Sequence, residues 1–377
     1  MSFSTSKLQD ISIIRTGKLD SNAAVDRGEY PFFTCDPVTL HIDKWAYDTE
    51  AVLLAGNNAS GNYTAKYYYG KFNAYQRTYI IESANKEKLN TRFLCYAINQ
   101  QLRLLKTMSS GSTTKFLTIK MLHALDIPFP SINIQNRVVE IVSAYDNLIE
   151  NNQKQIKLLE EAAQRLYKEW FIDLRFPGHE STPIHDGIPE GWSTGSLDDI
   201  AEDTGKNVRK ENRETYSYYL PIDCLPKKSL SYSVINDISL AESSLISFAP
   251  GDILFGAMRP YFHKVVVARD RGLTRSTCFV MNAREPNLWA FLTMLLFSNE
   301  AIDYATKISV GTTMPYVRWK DFVNMRIVIP TEPILIQFDS LIKPLIKKAA
   351  CLAEANMKLE QARDRLLPKL MSGEIEV

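Results

Sequence analysis

Residues 134–174 read IQNRVVEIVSAYDNLIENNQKQIKLLEEAAQRLYKEWFIDL, and the spacing of the apolar side chains in this stretch decides the fold. Val138, Val142, Tyr145, Ile149, Asn152, Ile156, Leu159, Ala163, Leu166 and Trp170 follow one another at alternating steps of four and three residues. Such a 3.5-residue repeat places them on one narrow seam of a helix. All but Asn152 are apolar. A helix of this length extends ~60 Å, too far to be enclosed in one ordinary domain, so the seam predicts a partner helix. The chain contains a second run of the same kind: Phe338, Ile342, Leu345, Ala349, Leu352, Asn356, Leu359, Arg363, Leu366 and Leu370. Both seams carry an Asn, a residue that costs stability at such a position and fixes register. The alternative is two separate amphipathic helices, each packed on its own domain. A strict 3.5-residue repeat favours the coiled coil, because an ordinary core-facing helix drifts off it. Pro344 lies inside the second pattern and predicts a kink or a broken first turn there.

A chain of 377 residues is long enough for two or more domains with proper cores. Apolar residues at 45% and charged residues at 23% describe a soluble globular protein. With a net charge of +1, any anion-binding surface has to be a local patch. Cys35, Cys95, Cys224, Cys278 and Cys351 are dispersed without a CxxC pair, which suggests reduced thiols. The first residues lack the apolar core of a signal peptide, and the apolar run near Leu288–Phe297 is too short to span a bilayer. The expectation is a cytoplasmic protein with no membrane contact. The histidines are scattered with no HxxxH-type spacing, so no metal site is expected.

Laid on itself with a shift close to 200, the sequence repeats. Gly111, Thr113, Phe116, Lys120, Leu125, Ile127 and Pro130 fall on Gly311, Thr313, Tyr316, Lys320, Met325, Ile327 and Pro330. Leu159, Glu160, Ala162, Arg165 and Leu166 fall on Leu359, Glu360, Ala362, Arg365 and Leu366, and Leu8, Ile11 and Gly17 meet Leu197, Ile200 and Gly205. Each half reads as a β-patterned globular part, a helix (Thr91–Thr107, Asn287–Thr306), a Gly-Thr loop, a strand into Pro130 or Pro330, and a long helix. The mixture is α+β. If a closed two-fold relates the halves, the long helices run antiparallel as a bar between two heads.

Catalytic motifs are missing: there is no GxGxxG or GxxxxGKS loop, no GxSxG elbow, and no Asn/Asp-Pro-Pro-aromatic tetrapeptide of adenine methyltransferases. Binding chemistry is better represented. Between Asn57 and Arg77 there is no acidic residue, while Asn57, Asn58, Asn62, Lys66, Tyr68, Lys71, Gln76 and Arg77 offer cations, amides and rings. The equivalent stretch from Met258 to Ser276 holds Arg259, Tyr261, His263, Lys264, Arg269, Arg271 and Arg275 against the single acid Asp270. Lys and Arg pair with phosphates, and Arg, Asn and Gln read guanine and adenine edges, so both stretches are candidate DNA-binding surfaces. Surface strands also carry such residues simply for solubility. The Gly-Thr loops add Thr113, Lys115, Thr312, Thr313 and Arg318, whose backbone could hold phosphate, although a plain turn before a buried strand explains their glycines as well.

The closing run Arg363-Asp364-Arg365-Leu366-Leu367-Pro368-Lys369-Leu370-Met371-Ser372-Gly373-Glu374-Ile375 resembles the C-terminal signature of specificity subunits of type I restriction–modification systems. The central Trp170-Phe171-Ile172-Asp173-Leu174-Arg175-Phe176-Pro177-Gly178 and the Ile188-Pro189-Glu190-Gly191-Trp192 run that opens the second half are similar to interior motifs of that family. The first half departs from it in lacking an Ile-Pro-x-Gly-Trp run. The resemblance implies an α+β fold: two pseudo-two-fold-related α/β target recognition domains separated by two long helices forming an antiparallel coiled coil. It implies recognition domains at 1–131 and 193–331, helices at 132–175 and 332–377, and a linker at 176–192. It implies a non-catalytic subunit that reads a bipartite, asymmetric double-stranded DNA target, one domain per half-site. Two adenine-methylating modification subunits, carrying S-adenosylmethionine, would dock on the helices, and restriction subunits using ATP and Mg would join them; the chain itself would hold no cofactor. A coiled-coil adaptor with two protein-binding heads is the alternative, which explains the bar but not the matched acid-poor stretches.

Overall fold

The computed structural model describes residues 3–59, 61–109 and 115–377. The chain folds as two compact units, one of residues 1–147 with 361–377 and one of residues 148–360, so each long helix is divided between them.

In the first unit the alternating segments form a six-stranded sheet, ordered Ser12–Thr16, Thr78–Ser83, Tyr47–Ala55, Ala65–Ala74, Tyr30–Phe33, Leu40–Ile42. The central strand sets Val52 opposite both Tyr67 and Ile81, antiparallel on each side. One face is closed by the helix Thr91–Gln100, whose Phe93 and Leu94 are fully buried. Into the same core come Val138 and Val142 of the first long helix and Leu367 and Leu370 of the second. At the helix start, fully buried Gln135 donates to the carbonyls of Lys88 and Pro130 and accepts from the Asn90 amide, so its burial leaves no polar group stranded.

The second unit repeats this order in its main sheet, Ala201–Asp203, Cys278–Ala283, Ile253–Gly256, Val265–Val267. It adds a second sheet of Lys206–Val208, Leu245–Phe248, Gly272–Arg275 and Tyr218–Tyr219. Ser193–Ser196 pairs with Arg326–Ile329 just as Ser4–Lys7 pairs with Asp126–Phe129. Its core joins Ala163, Tyr167 and Trp170 to Phe338, Ile342 and Ile346.

The two long helices, Ile132–Tyr167 and Glu332–Ser372, pair antiparallel within each unit. In the second unit Asn152 donates to Asn356 (2.8 Å), while Trp170 packs on Phe338 at 5.5 Å between ring centroids. The advance along one helix therefore equals the retreat along the other. In the first unit Arg363, the charged residue of the second seam, meets Asp146 at 3.0 Å.

Four expectations change. The first α-helix ends at Tyr167 rather than Leu174 and continues as a π turn over Lys168–Ile172, where Asp173 N donates to Lys168 O (2.8 Å). The wider turn lets Phe171 pack edge-on against both Phe291 and Phe338, and the chain leaves through Leu174 at φ 56. The helices expected at Thr91–Thr107 and Asn287–Thr306 are each two: Thr91–Gln100 with Leu102–Met108, and Trp289–Leu296 with Asn299–Ile308. Ser298 restarts the last by accepting from Ala301 N. The second long helix runs unbroken through Pro344. Finally, the first seam drifts as 3.6-residue geometry dictates: Leu159 and Leu166 are only partly buried, and Glu160 and Tyr167 take the inward positions. In the second helix Ile346 is likewise buried beyond Leu345.

Glu160 shows what that drift brings inside. Its Oε1 accepts from Ser229 Oγ (3.0 Å), Leu230 N (2.9 Å) and Ser231 N (3.1 Å), tying a loop to the helix. Burial outweighs these bonds and pushes the carboxyl up to about 7. A raised carboxyl pKa means the folded state binds the proton more tightly, so this group's stabilisation is complete below pH 4.5 and is lost as the pH rises through about 7. Glu160→Gln keeps an acceptor for the two amides and should flatten the fall in urea midpoint between pH 5 and 8; an unchanged slope would assign that fall elsewhere.

The asparagines form a directional pair, since Asn356 Nδ2 also donates to Ile149 O (3.2 Å). Removing one amide strands the other in a buried site at a cost of ~1–3 kcal/mol, whereas removing both leaves an apolar contact. Asn152→Leu and Asn356→Leu should each lower unfolding stability by that amount, and the double variant should lose less than their sum. Additivity of the two losses would contradict the pairing.

Candidate nucleic-acid interface

In each unit a short backbone bridge gathers segments that are far apart in sequence. In the first, Asn57–Asn58 pairs with Lys115–Phe116, setting Asn57 opposite Phe116 and Asn58 opposite Lys115, and Leu117 N donates to Gly56 O (2.8 Å). Asn58 Oδ1 accepts from Asn62 N (3.2 Å), and Lys106 Nζ reaches Asn62 Oδ1 (2.7 Å). Asn57, Asn58, Asn62, Lys106 and Lys115 thus share one site, with Phe116 exposed beside them. Lys106 is missing from the sequence-derived candidates, although the acid-poor run around it was the available signal. Thr113 lies outside the described residues.

The second unit builds the same bridge in the equivalent place. Met258 pairs with Tyr316, Arg259 N donates to Pro315 O (2.7 Å), and Val317 N donates to Ala257 O (2.9 Å). Arg259 Nη2 donates to Thr313 O (3.3 Å), which brings Arg259, two residues before Tyr261, to the loop carrying Thr312 and Thr313. Tyr261, Thr312, Thr313 and Tyr316 are exposed. Arg318, also exposed, is held by Asp321 at 2.6 Å.

Other candidates fall elsewhere. His263 is buried, with Nε2 3.0 Å from Phe297 O, and burial lowers its pKa. It is therefore a neutral anchor of the fold, withdrawn from phosphate. Lys264 is partly buried and spends its ammonium on Ile222 O (2.6 Å). Lys66 is similarly half-buried against Thr39 Oγ1 (3.0 Å), and desolvation lowers its pKa. Tyr68 packs between Phe33 and Phe72. Lys71 remains exposed over the Trp45 ring at 4.9 Å, and Gln76 and Arg77 are exposed in the turn before Thr78. Arg271, over Tyr216 at 4.6 Å, and Arg275, near Ser243 Oγ at 3.4 Å, belong to the second sheet rather than to the Arg259 bridge. The stretch from Met258 to Ser276 is therefore divided between the Arg259 bridge and the second sheet.

Among the described residues no group of three or more His, Cys, Asp or Glu is placed to hold a metal, and no helix is long and apolar enough to cross a membrane.

Residues 2–161 match the family model described as the type I restriction modification DNA specificity domain. The chain is 28% identical over 355 residues to the EcoDI specificity subunit of Escherichia coli, covering 88% of this chain and 78% of that protein. It is 31% identical over 289 residues to the MjaIX specificity subunit of Methanocaldococcus jannaschii, covering 72% and 66%. In fold it is similar to the crystal structure of a type I restriction–modification S subunit from M. genitalium, with a TM-score of 0.64, 16% identity, and coverage of 98% and 96%. The two long helices packed together beside β-rich units agree with that fold. The chain belongs to the specificity subunits of type I restriction–modification systems, the non-catalytic components through which such complexes recognise DNA.

Proposed function

We propose that this subunit reads a bipartite, asymmetric target in double-stranded DNA, one half-site for each bridged surface. The observation that carries this is the duplication of the bridge itself, Asn57 opposite Phe116 and Met258 opposite Tyr316, each flanked by acid-poor sequence. In the proposed division, residues 1–131 and 193–331 are the two recognition domains, 132–175 and 332–377 the helices, and 176–192 the linker. Because both units draw on the same helix pair, its length sets the unread gap between half-sites. Two modification subunits dock on outward positions of these helices, bring S-adenosylmethionine, and flip the adenine that they methylate. Restriction subunits, with ATP and Mg, complete the complex. Lysines and arginines on the surfaces position the duplex, while asparagine, glutamine, arginine and tyrosine side chains distinguish bases.

Adenine methylation mapped across the genome of a host carrying the chain and its cognate methyltransferase subunit should reveal a two-part motif; a contiguous motif, or none, would refute the proposal. Inserting one heptad into both long helices should change the gap and leave both half-sites as they were. Among the cations of the bridged surfaces, Lys106→Ala and Arg259→Ala should weaken DNA binding of the methyltransferase complex and each reduce the slope of log affinity against log salt by ~1. Lys66→Met, by contrast, should lower stability with little change in that slope, because its ammonium serves the Asp36–Thr39 loop. A reduced slope for Lys66→Met would return that residue to the interface.

A further inference from the structure

The turn following the Ile253–Gly256 strand is built to hold out one aromatic ring. Arg259 and His263, the residues bounding it, both adopt φ 52, a left-handed conformation that residues with a Cβ seldom take. Such angles persist only where the surroundings over-determine them. Here the restraints are numerous. Arg259 N is bonded to Pro315 O (2.7 Å), Phe262 N to Arg259 O (3.0 Å) and His263 N to Pro260 O (2.8 Å). His263 O accepts from Lys228 N (2.8 Å), and Gly256 N donates to Lys264 O (2.8 Å), closing the base of the turn.

The His263 ring completes the anchor. A carbonyl can only accept, so the contact to Phe297 O requires the proton on Nε2, and the ring lies edge-on to Phe297 with 5.1 Å between centroids. Pro260 fixes its own φ, and Lys227 Nζ sits 4.5 Å over the Phe262 ring. One ring of the turn faces outward, Tyr261, whose inner edge meets Phe262 with 4.9 Å between centroids. Tyr261 is 50% exposed, and among the described residues its hydroxyl has no hydrogen-bond partner. The bridged segment beside the turn adds exposed Met314 and Tyr316, so the basic surface carries apolar side chains that solubility does not require.

We infer that Tyr261 is a stacking residue, its ring laid against bases of the half-site read by the second unit and its hydroxyl not needed for recognition. The inference rests on the reading of this surface as a DNA interface and adds how one residue of it discriminates. A ring carried on a rigid turn and held against Phe262 has little freedom left to lose, so contact with a base surface costs little ordering. Its discrimination comes from how readily the opposed base step unstacks rather than from a donor–acceptor code.

The test uses the full chain with its cognate methyltransferase subunit, comparing genome-wide adenine methylation for the parent, Tyr261→Ala and Tyr261→Phe. Tyr261 is exposed, so neither change disturbs the core. The expected result is that Tyr261→Ala relaxes base preference at one or two adjacent positions of one half-site, leaves the other half intact, and lowers affinity about tenfold, while Tyr261→Phe keeps the parent motif. Equal relaxation by both variants would show recognition through the hydroxyl and overturn the inference. So would a uniform fall in methylation with an unaltered motif, which would place Tyr261 against the methyltransferase, or no change at all. A two-part parent motif that Tyr261→Ala leaves untouched overturns this inference alone; a parent without a two-part motif overturns the DNA reading as well.

Discussion

Neither long helix can be covered by a single core, and the rest of the structure follows from how that length is shared. The first unit buries Val138 and Val142 beside Leu367 and Leu370, and the second buries Ala163, Tyr167 and Trp170 beside Phe338 and Ile342. Apolar burial supplies most of the free energy, at roughly 25 cal/mol per Å² removed from water, but it is non-directional and tolerates sliding. The Asn152–Asn356 hydrogen bond does not, because a slip of one residue would strand two buried amides. Register is thus specified by a polar contact within an apolar seam, and the Arg363–Asp146 pair marks the register of the first unit in the same way.

On this frame the duplicated scaffold carries different side chains in each unit. The bridge of the first presents mostly amides and lysines, from Asn57, Asn58 and Asn62 to Lys106 and Lys115. That of the second presents Arg259, Tyr261 and hydroxyls of the 312–313 loop. Backbone pairing fixes where the surface is; side chains on the connecting segments are free to differ. Such a division suits the proposed reading of two different half-sites.

Much of this was legible in the sequence. The 3.5-residue spacing exposed the helix pair, and the 200-residue shift exposed the duplicated order of strands and helices, because both are periodic signals. What escaped depends on contacts between distant residues. Nothing local says that Glu160 rather than Leu159 turns inward, since the heptad is only an approximation to 3.6 residues per turn. The π turn at Lys168–Ile172 arises from aromatic packing on Phe291 and Phe338, far along the chain. His263 looked like a DNA-binding residue by composition and is a buried anchor because Phe297 O stands opposite it. Lys66 and Lys264 were likewise indistinguishable in sequence from Lys71, which remains exposed, until the fold assigned carbonyls and hydroxyls to their ammonium groups.

The division of the helices has a consequence for synthesis. The core of the first unit includes Leu367, Leu370 and Met371, which leave the ribosome after every residue of the second unit. The core of the first unit is therefore incomplete as its amino-terminal part emerges, contrary to the usual order in which domains fold from the start of the chain. Until residues 361–377 are made, the core around Val138 and Val142 lacks Leu367, Leu370 and Met371, and a product truncated before residue 361 would keep that gap. A finished second unit therefore does not make a finished first one, and the last residues to complete the core of the first unit come from the far side of the second in the sequence.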